Sequence, residues 1–143
     1  MQKIGDKNRF LDDFLSTFSN RWKSDKDYYR LLSRQIIALA EQGNVILVGR
    51  GAPIVTRNMK NCFHFRIYAS EPFKVASIGK RLGLDTGEAR TLVERRQKER
   101  DRFIRDCLDR DPYDLSVYHL AFNNDRNDAA KMALTILDYL LQP

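Results

Sequence analysis

No stretch of about 18 apolar residues occurs in this 143-residue chain, so no spanning helix is expected. Its first residues, MQKIGDKNRF, lack the apolar core of a signal peptide. Cysteine is scarce. Cys62 and Cys107 form neither a disulfide framework nor a metal-ligand spacing, which predicts reduced thiols in a cytoplasmic protein and no structural metal. Glycine is sparse at the start, where Gly5 is the only one before Gly43. Gly79, Gly83 and Gly87 recur every four residues, but no strand precedes them and no lysine-threonine pair follows. They therefore do not make a phosphate-cradling loop of the G-x-x-x-x-G-K-[ST] type. Internal repeats, low-complexity tracts and linkers are also missing, and residues 1–143 are read as a single domain.

What the chain does have is positive charge, with a net +6 and a sequence pI near 9.5. That balance favours an anionic partner, a phosphate group or a nucleic acid. Between Arg90 and Arg110 stand seven arginines and one lysine among five acids. Arginine suits planar, bidentate recognition of phosphate or carboxylate. The same pattern also describes a solvated helix laced with i,i+4 ion pairs. The interspersed acids break any continuous basic stripe, which argues against a nucleic-acid-binding protein.

Hydrophobic periodicity predicts a parallel α/β sheet of about three strands flanked by helices. Phe10, Leu11, Phe14, Leu15 and Phe18 mark one helical face over residues 8–19. A polar loop carrying Trp22 follows, then a helix from Asp27 to Gln42 with Tyr28, Leu31, Leu32, Ile36 and Leu39 as its stripe. Val45–Val48 is short, apolar and β-branched, the pattern of a strand buried on both faces. Residues 63–68 alternate as a second strand, with Ser70 capping a helix through Leu82 that Gly83 ends. Asp85 and Glu88 have capping-box spacing for a long helix reaching about Leu108. A loop with Pro112, a third strand over Tyr118–Phe122 and a helix from about Arg126 to Leu141 complete the order. His64 and His119 fall in strands and are expected to be packing or surface residues rather than catalytic ones.

Gly49-Arg50-Gly51 directly follows VILV. Ligands of open parallel sheets bind at the carboxyl ends of strands, and the two glycines let the backbone pass close to a bound group. Arg50 is therefore a candidate phosphate or carboxylate clamp, the alternative being a plain turn with an exposed arginine.

The stretch GNVILVGRGAPIVTR is similar to the segment of cytidylate-kinase-like proteins in which a buried strand ends in a G-R motif. ERDRFIRDCLDRDPYDLSVYHLAFNND resembles the same family's lid and following strand, and EPFKVASIGKRLGLDTGEAR its approach to the lid. The helices upstream of VILV fit as well. The resemblance implies a nucleoside-monophosphate kinase, of cytidylate in the first instance, with an incomplete P-loop-kinase-like fold. It implies that Arg50, with Gly49 and Gly51, binds the acceptor's phosphate. By the same resemblance Arg100, Arg102 and Arg105 are lid arginines that close on the transferring phosphoryl group, with Arg95 and Arg96 as weaker candidates. Asp101 and Asp106 would orient those arginines or touch the acceptor base, and Asn123 would end its strand near the donor-base pocket. His119 stands where the family commonly has an aspartate. Arg100 lies about 200° from Arg102 on an ideal helix, which predicts either a break in the lid or a structural task for Arg100.

Kinases of this fold begin with a strand, a glycine-rich loop and a helix that hold the donor phosphates. No such unit is present here. The expectations are a fragment or shortened relative, inactive alone, with no intrinsic cofactor, and with ATP and Mg²⁺ relevant only if upstream sequence supplies the loop. A non-enzymatic module that keeps the arginine crevice and binds anions or a partner is the alternative. The missing central strand predicts unpaired sheet edges and favours a homo-oligomer or a partner-completed domain.

Overall fold

The structure, a computed structural model, describes residues 25–142. The expected helix over residues 8–19 and the Trp22 loop lie outside the described residues. Among the described residues, five helices and two strands follow in the order α1 (Asp25–Gln42), α2 (Ala52–Val55), β1 (Phe65–Tyr68), α3 (Glu71–Leu82), α4 (Thr86–Leu108), β2 (Leu120–Asn123) and α5 (Ala129–Leu141). β1 and β2 pair in parallel, with Phe65 opposite Leu120 and Tyr68 opposite Asn123. The α/β class with parallel strands is as expected.

The helix ends follow the capping chemistry. Ser70 caps α3 by accepting the Phe73 N–H, and Gly83 closes it at φ 67°. Asp85 and Glu88 form a reciprocal capping box at the start of α4. α5 starts at residue 129 rather than near Arg126. Residues 123–127 fold into a turn on the Asn123 carbonyl, and Asp128 accepts the Lys131 N–H as the cap. α4 runs unbroken from Thr86 to Leu108, so the break considered near Arg100 does not occur.

A core cluster of Val75, Ala89 and Val93, with Ile78 and Leu84 against it, welds α3 to the first half of α4. On α1 the innermost residues are Ile36 and Ala40, one turn apart, while Leu39 is exposed. The stripe on α1 is thus rotated from the predicted one.

The largest departure concerns Val45–Val48. This run forms no strand, and Ile46 and Val48 are 91% and 88% exposed. Its side chains suit a buried strand, but no neighbouring strand pairs with it among the described residues, and a ladder needs a partner. Among the described residues the sheet has two strands instead of about three. β1 also begins at Phe65 rather than Phe63, because the His64 N–H is given to the His119 ring and not to a neighbouring carbonyl.

Exposure makes a simple forecast. Ile46→Ala should change stability by no more than about 0.5 kcal/mol. Ile36→Ala, at a site 5% exposed, should cost about 2–5 kcal/mol. Urea unfolding of both variants is the check. A large loss at Ile46 would mean that the segment is buried in solution.

Candidate functional site

Three successive residues, Gly49, Arg50 and Gly51, have left-handed backbones at φ 74°, 58° and 70°. Arg50 is the only one with a side chain to crowd that conformation, at a cost of about 1–2 kcal/mol. Strain of this kind gathers where function requires a geometry. The turn is closed by Ala52 N–H to Gly49 O (3.1 Å) and by Ile54 and Val55 N–H to Gly51 O (2.9 and 3.1 Å). A Cβ on Gly51 would come within 2.5 Å of Leu108 Cδ1, and the Tyr29 hydroxyl lies 3.5 Å from the same point. The turn is thereby seated between α1 and the end of α4. Arg105 lies three residues before Leu108, on the adjoining part of the same helix face. Arg50 is exposed, and among the described residues it has no ion-pair or hydrogen-bond partner.

The arginines of α4 have distinct surroundings. Arg102 lies 3.5 Å from Asp106 one turn on, and both are exposed. Arg95 and Arg96 share Glu99, at 4.0 and 3.6 Å. These are the i,i+3 and i,i+4 pairs that the charge pattern allowed, each worth only a few tenths of a kcal/mol and open to exchange for a stronger anion. Arg100 lies 3.7 Å from Asp101. Of the two expectations for Arg100, the break in the helix is absent.

Asp101 is 6% exposed, which is unusual for a carboxylate. It accepts from Gln97 Nε2 (2.8 Å) and from the Tyr113 hydroxyl (3.1 Å), and Lys74 Nζ donates to Gln97 Oε1 (3.2 Å). The chain of bonds ties α3, the second half of α4 and the 109–118 loop together. Burying a carboxylate is tolerated because every bond satisfies it. Arg66, on β1, fixes the same loop by donating to the Pro112 carbonyl (2.9 Å) and lying over the Tyr118 ring. Asp106, by contrast, is exposed. Asn123 ends β2, where its side-chain oxygen accepts the Asp125 N–H (2.9 Å). Asp125 in turn receives the Ser70 N–H and hydroxyl, and these bonds hold its carboxyl below the usual range.

A histidine corner lies where β1 and β2 begin. His64 is 6% exposed; its Nδ1 lies 3.1 Å from the Val117 carbonyl and its Nε2 2.9 Å from the Thr56 hydroxyl. His119 Nδ1 accepts the His64 N–H (2.9 Å), and the His64 carbonyl accepts the His119 N–H (2.7 Å). His64 is buried and His119 exposed, and their bonds to each other and to Thr56 were not visible in the sequence. Nothing in the alternation of residues 63–68 signals them. Burial pushes the His64 pKa below its ordinary 6.5, and the neighbouring His119 adds to the effect.

Two forecasts follow from these buried groups. Asp101→Ala should strand the Tyr113 hydroxyl and Gln97 and cost about 1–3 kcal/mol in urea unfolding. Asp101→Asn, which keeps one acceptor, should cost less; equal losses would remove the carboxylate from its organising place. For His64 the unfolded chain binds the proton more readily than the folded one. Its contribution is therefore fully present above pH 6.5 and is lost as pH falls below that value toward the depressed pKa. The melting temperature should drop over that interval, and His64→Gln should flatten the drop.

The chain has parallels among known proteins. Residues 1–126 match the cytidylate kinase-like family. A cytidylate kinase of Methanopyrus kandleri is 29% identical over 120 residues, an alignment that takes in 78% of this chain and 62% of the relative. A crystal structure of an uncharacterized protein from Eubacterium ventriosum shares the fold at a TM-score of 0.67 and 18% identity, with the same coverage of 78% and 62%. The chain thus spans under two thirds of the length of each. The match over most of its residues establishes that the chain belongs to the cytidylate kinase-like family.

Proposed function

We propose that this chain is the acceptor-binding part of a nucleoside-monophosphate kinase-like phosphotransferase, with cytidylate as the acceptor. The observation that carries the reading is the left-handed turn of Gly49–Gly51, which presents an unpaired arginine beside the end of a helix rich in exposed arginines. Phosphoryl transfer depends on positioning and on neutralising spread-out charge rather than on covalent chemistry. Arg50 holds the acceptor's phosphate. Arg102 and Arg105, on one face of α4, meet the transferring group, and Asp106 keeps Arg102 oriented until a phosphate displaces it. Arg100 acts from behind, through Asp101.

The donor side has no counterpart among the described residues. Three His, Cys, Asp or Glu side chains that could hold a metal ion do not come together there. On this reading the described residues hold and orient the acceptor, with ATP and Mg²⁺ relevant only where a donor cradle is provided. No helix among the described residues is long and apolar enough to cross a membrane.

A second reading, a binding module completed by a partner or by a second copy of the chain, is favoured by the exposed Val45–Val48 run. Apolar extended backbone without a ladder partner is a template for another strand.

Calorimetric titration with cytidine monophosphate separates these readings. Arg50→Ala should weaken binding about 10- to 150-fold, the loss of one charge-assisted contact. Unchanged affinity would dismiss the clamp. Residues 1–143 with ATP, Mg²⁺ and nucleoside monophosphates should show no turnover. Turnover that depends on Arg50 would mean that another segment of this chain supplies the donor cradle.

A further inference from the structure

We propose that His64 is a positioning residue for Arg50: through Thr56 and Ala52 it holds the left-handed turn that carries the arginine. The inference rests on the reading of Arg50 as a phosphate clamp. α2 has only four residues, and its start at Gly51 has no side-chain cap. A helix of that length is far below what can nucleate alone, so its geometry depends on outside ties. Thr56 supplies one at its C-terminal end. Its N–H and its hydroxyl both reach the Ala52 carbonyl, at 2.9 and 2.8 Å, and Ala52 donates its own N–H back to Gly49. Arg50 is thus enclosed between Gly49 and Ala52 in a chain of bonds that ends on Thr56. Thr56 is 2% exposed, and its hydroxyl meets His64 Nε2 eight residues on.

His64 is suited to be the fixed end of that chain. Its ring, its N–H and its carbonyl each bond to the segment Val117–His119 in front of β2. Donation of Nδ1–H to Val117 leaves Nε2 with a lone pair facing the Thr56 hydroxyl, whose single hydrogen lies between Nε2 (2.9 Å) and the Ala52 carbonyl (2.8 Å). The Ala52 carbonyl still keeps the Thr56 N–H. His119 is the titratable group that faces the His64 ring. Neither Thr56 nor the Val117 carbonyl titrates. His64 touches no ligand in this account, and its effect passes entirely through Thr56.

The test uses the full chain and four variants. His64→Asn keeps a polar group near Nδ1 but is too short to reach Thr56. His64→Gln places an amide near Nε2. Thr56→Val removes the hydroxyl at nearly constant shape, and Thr56→Ser keeps it. Amide hydrogen exchange at Ala52, Ile54 and Val55 should be at least tenfold faster in His64→Asn and Thr56→Val, with Val93 in the α3–α4 core unchanged. His64→Gln and Thr56→Ser should restore near-original rates. Affinity for cytidine monophosphate should fall in the first pair and recover in the second. His64→Asn should add no further loss to Arg50→Ala. Unchanged exchange in Thr56→Val and His64→Asn overturns the proposal, as does a loss that the conservative variants do not restore. If His64→Asn does not fold, the Thr56 pair decides alone. If Arg50→Ala leaves affinity unchanged, the clamp reading fails, while the exchange rates still decide whether His64 holds the turn.

Discussion

The seating of Gly51 against Leu108 organises the rest of the site. A Cβ at Gly51 would stand 2.5 Å from Leu108 Cδ1, so a side chain there would have to push the Leu108 side chain aside, and the left-handed φ of 70° favours glycine as well. The contact joins the start of a four-residue helix to the end of a 23-residue one. It brings the strained Arg50 to the arginine-rich end of α4. Without it, Arg50 and Arg105 would belong to elements with no reason to adjoin.

α4 can serve because its two halves are fixed differently. The first half is held by apolar packing on α3, through Val75, Ala89 and Val93. The second half relies on polar bonds, with Asp101 at their centre, and on the Tyr29–Phe103 ring contact. Apolar burial is insensitive to which anion is near, whereas ion pairs such as Arg102–Asp106 can be traded for a phosphate at small cost.

Much of this was legible in the sequence. Caps and stops set by local chemistry, such as Ser70, Gly83 and the Asp85–Glu88 box, fall where they were expected, since they depend on residues a few positions apart. The G-R-G motif marked the turn, although not its three left-handed residues. Val45–Val48 was misjudged because an apolar β-branched run reports what its side chains can bury and not whether a partner strand is present. The Asp101 bonds and the histidine corner could not be foreseen. They join residues 12 and 55 positions apart, and no periodicity encodes such pairs.

The central claim is that Gly49–Gly51 and the end of α4 form one phosphate-binding site. Nitrogen–proton correlation spectra recorded while cytidine monophosphate is added to the full chain test it most directly. The account predicts shifts confined to Gly49–Thr56 and Arg100–Asp109, saturating together with a single dissociation constant. Shifts centred on α5 or on the α3–α4 core, or two groups saturating at different concentrations, would contradict it.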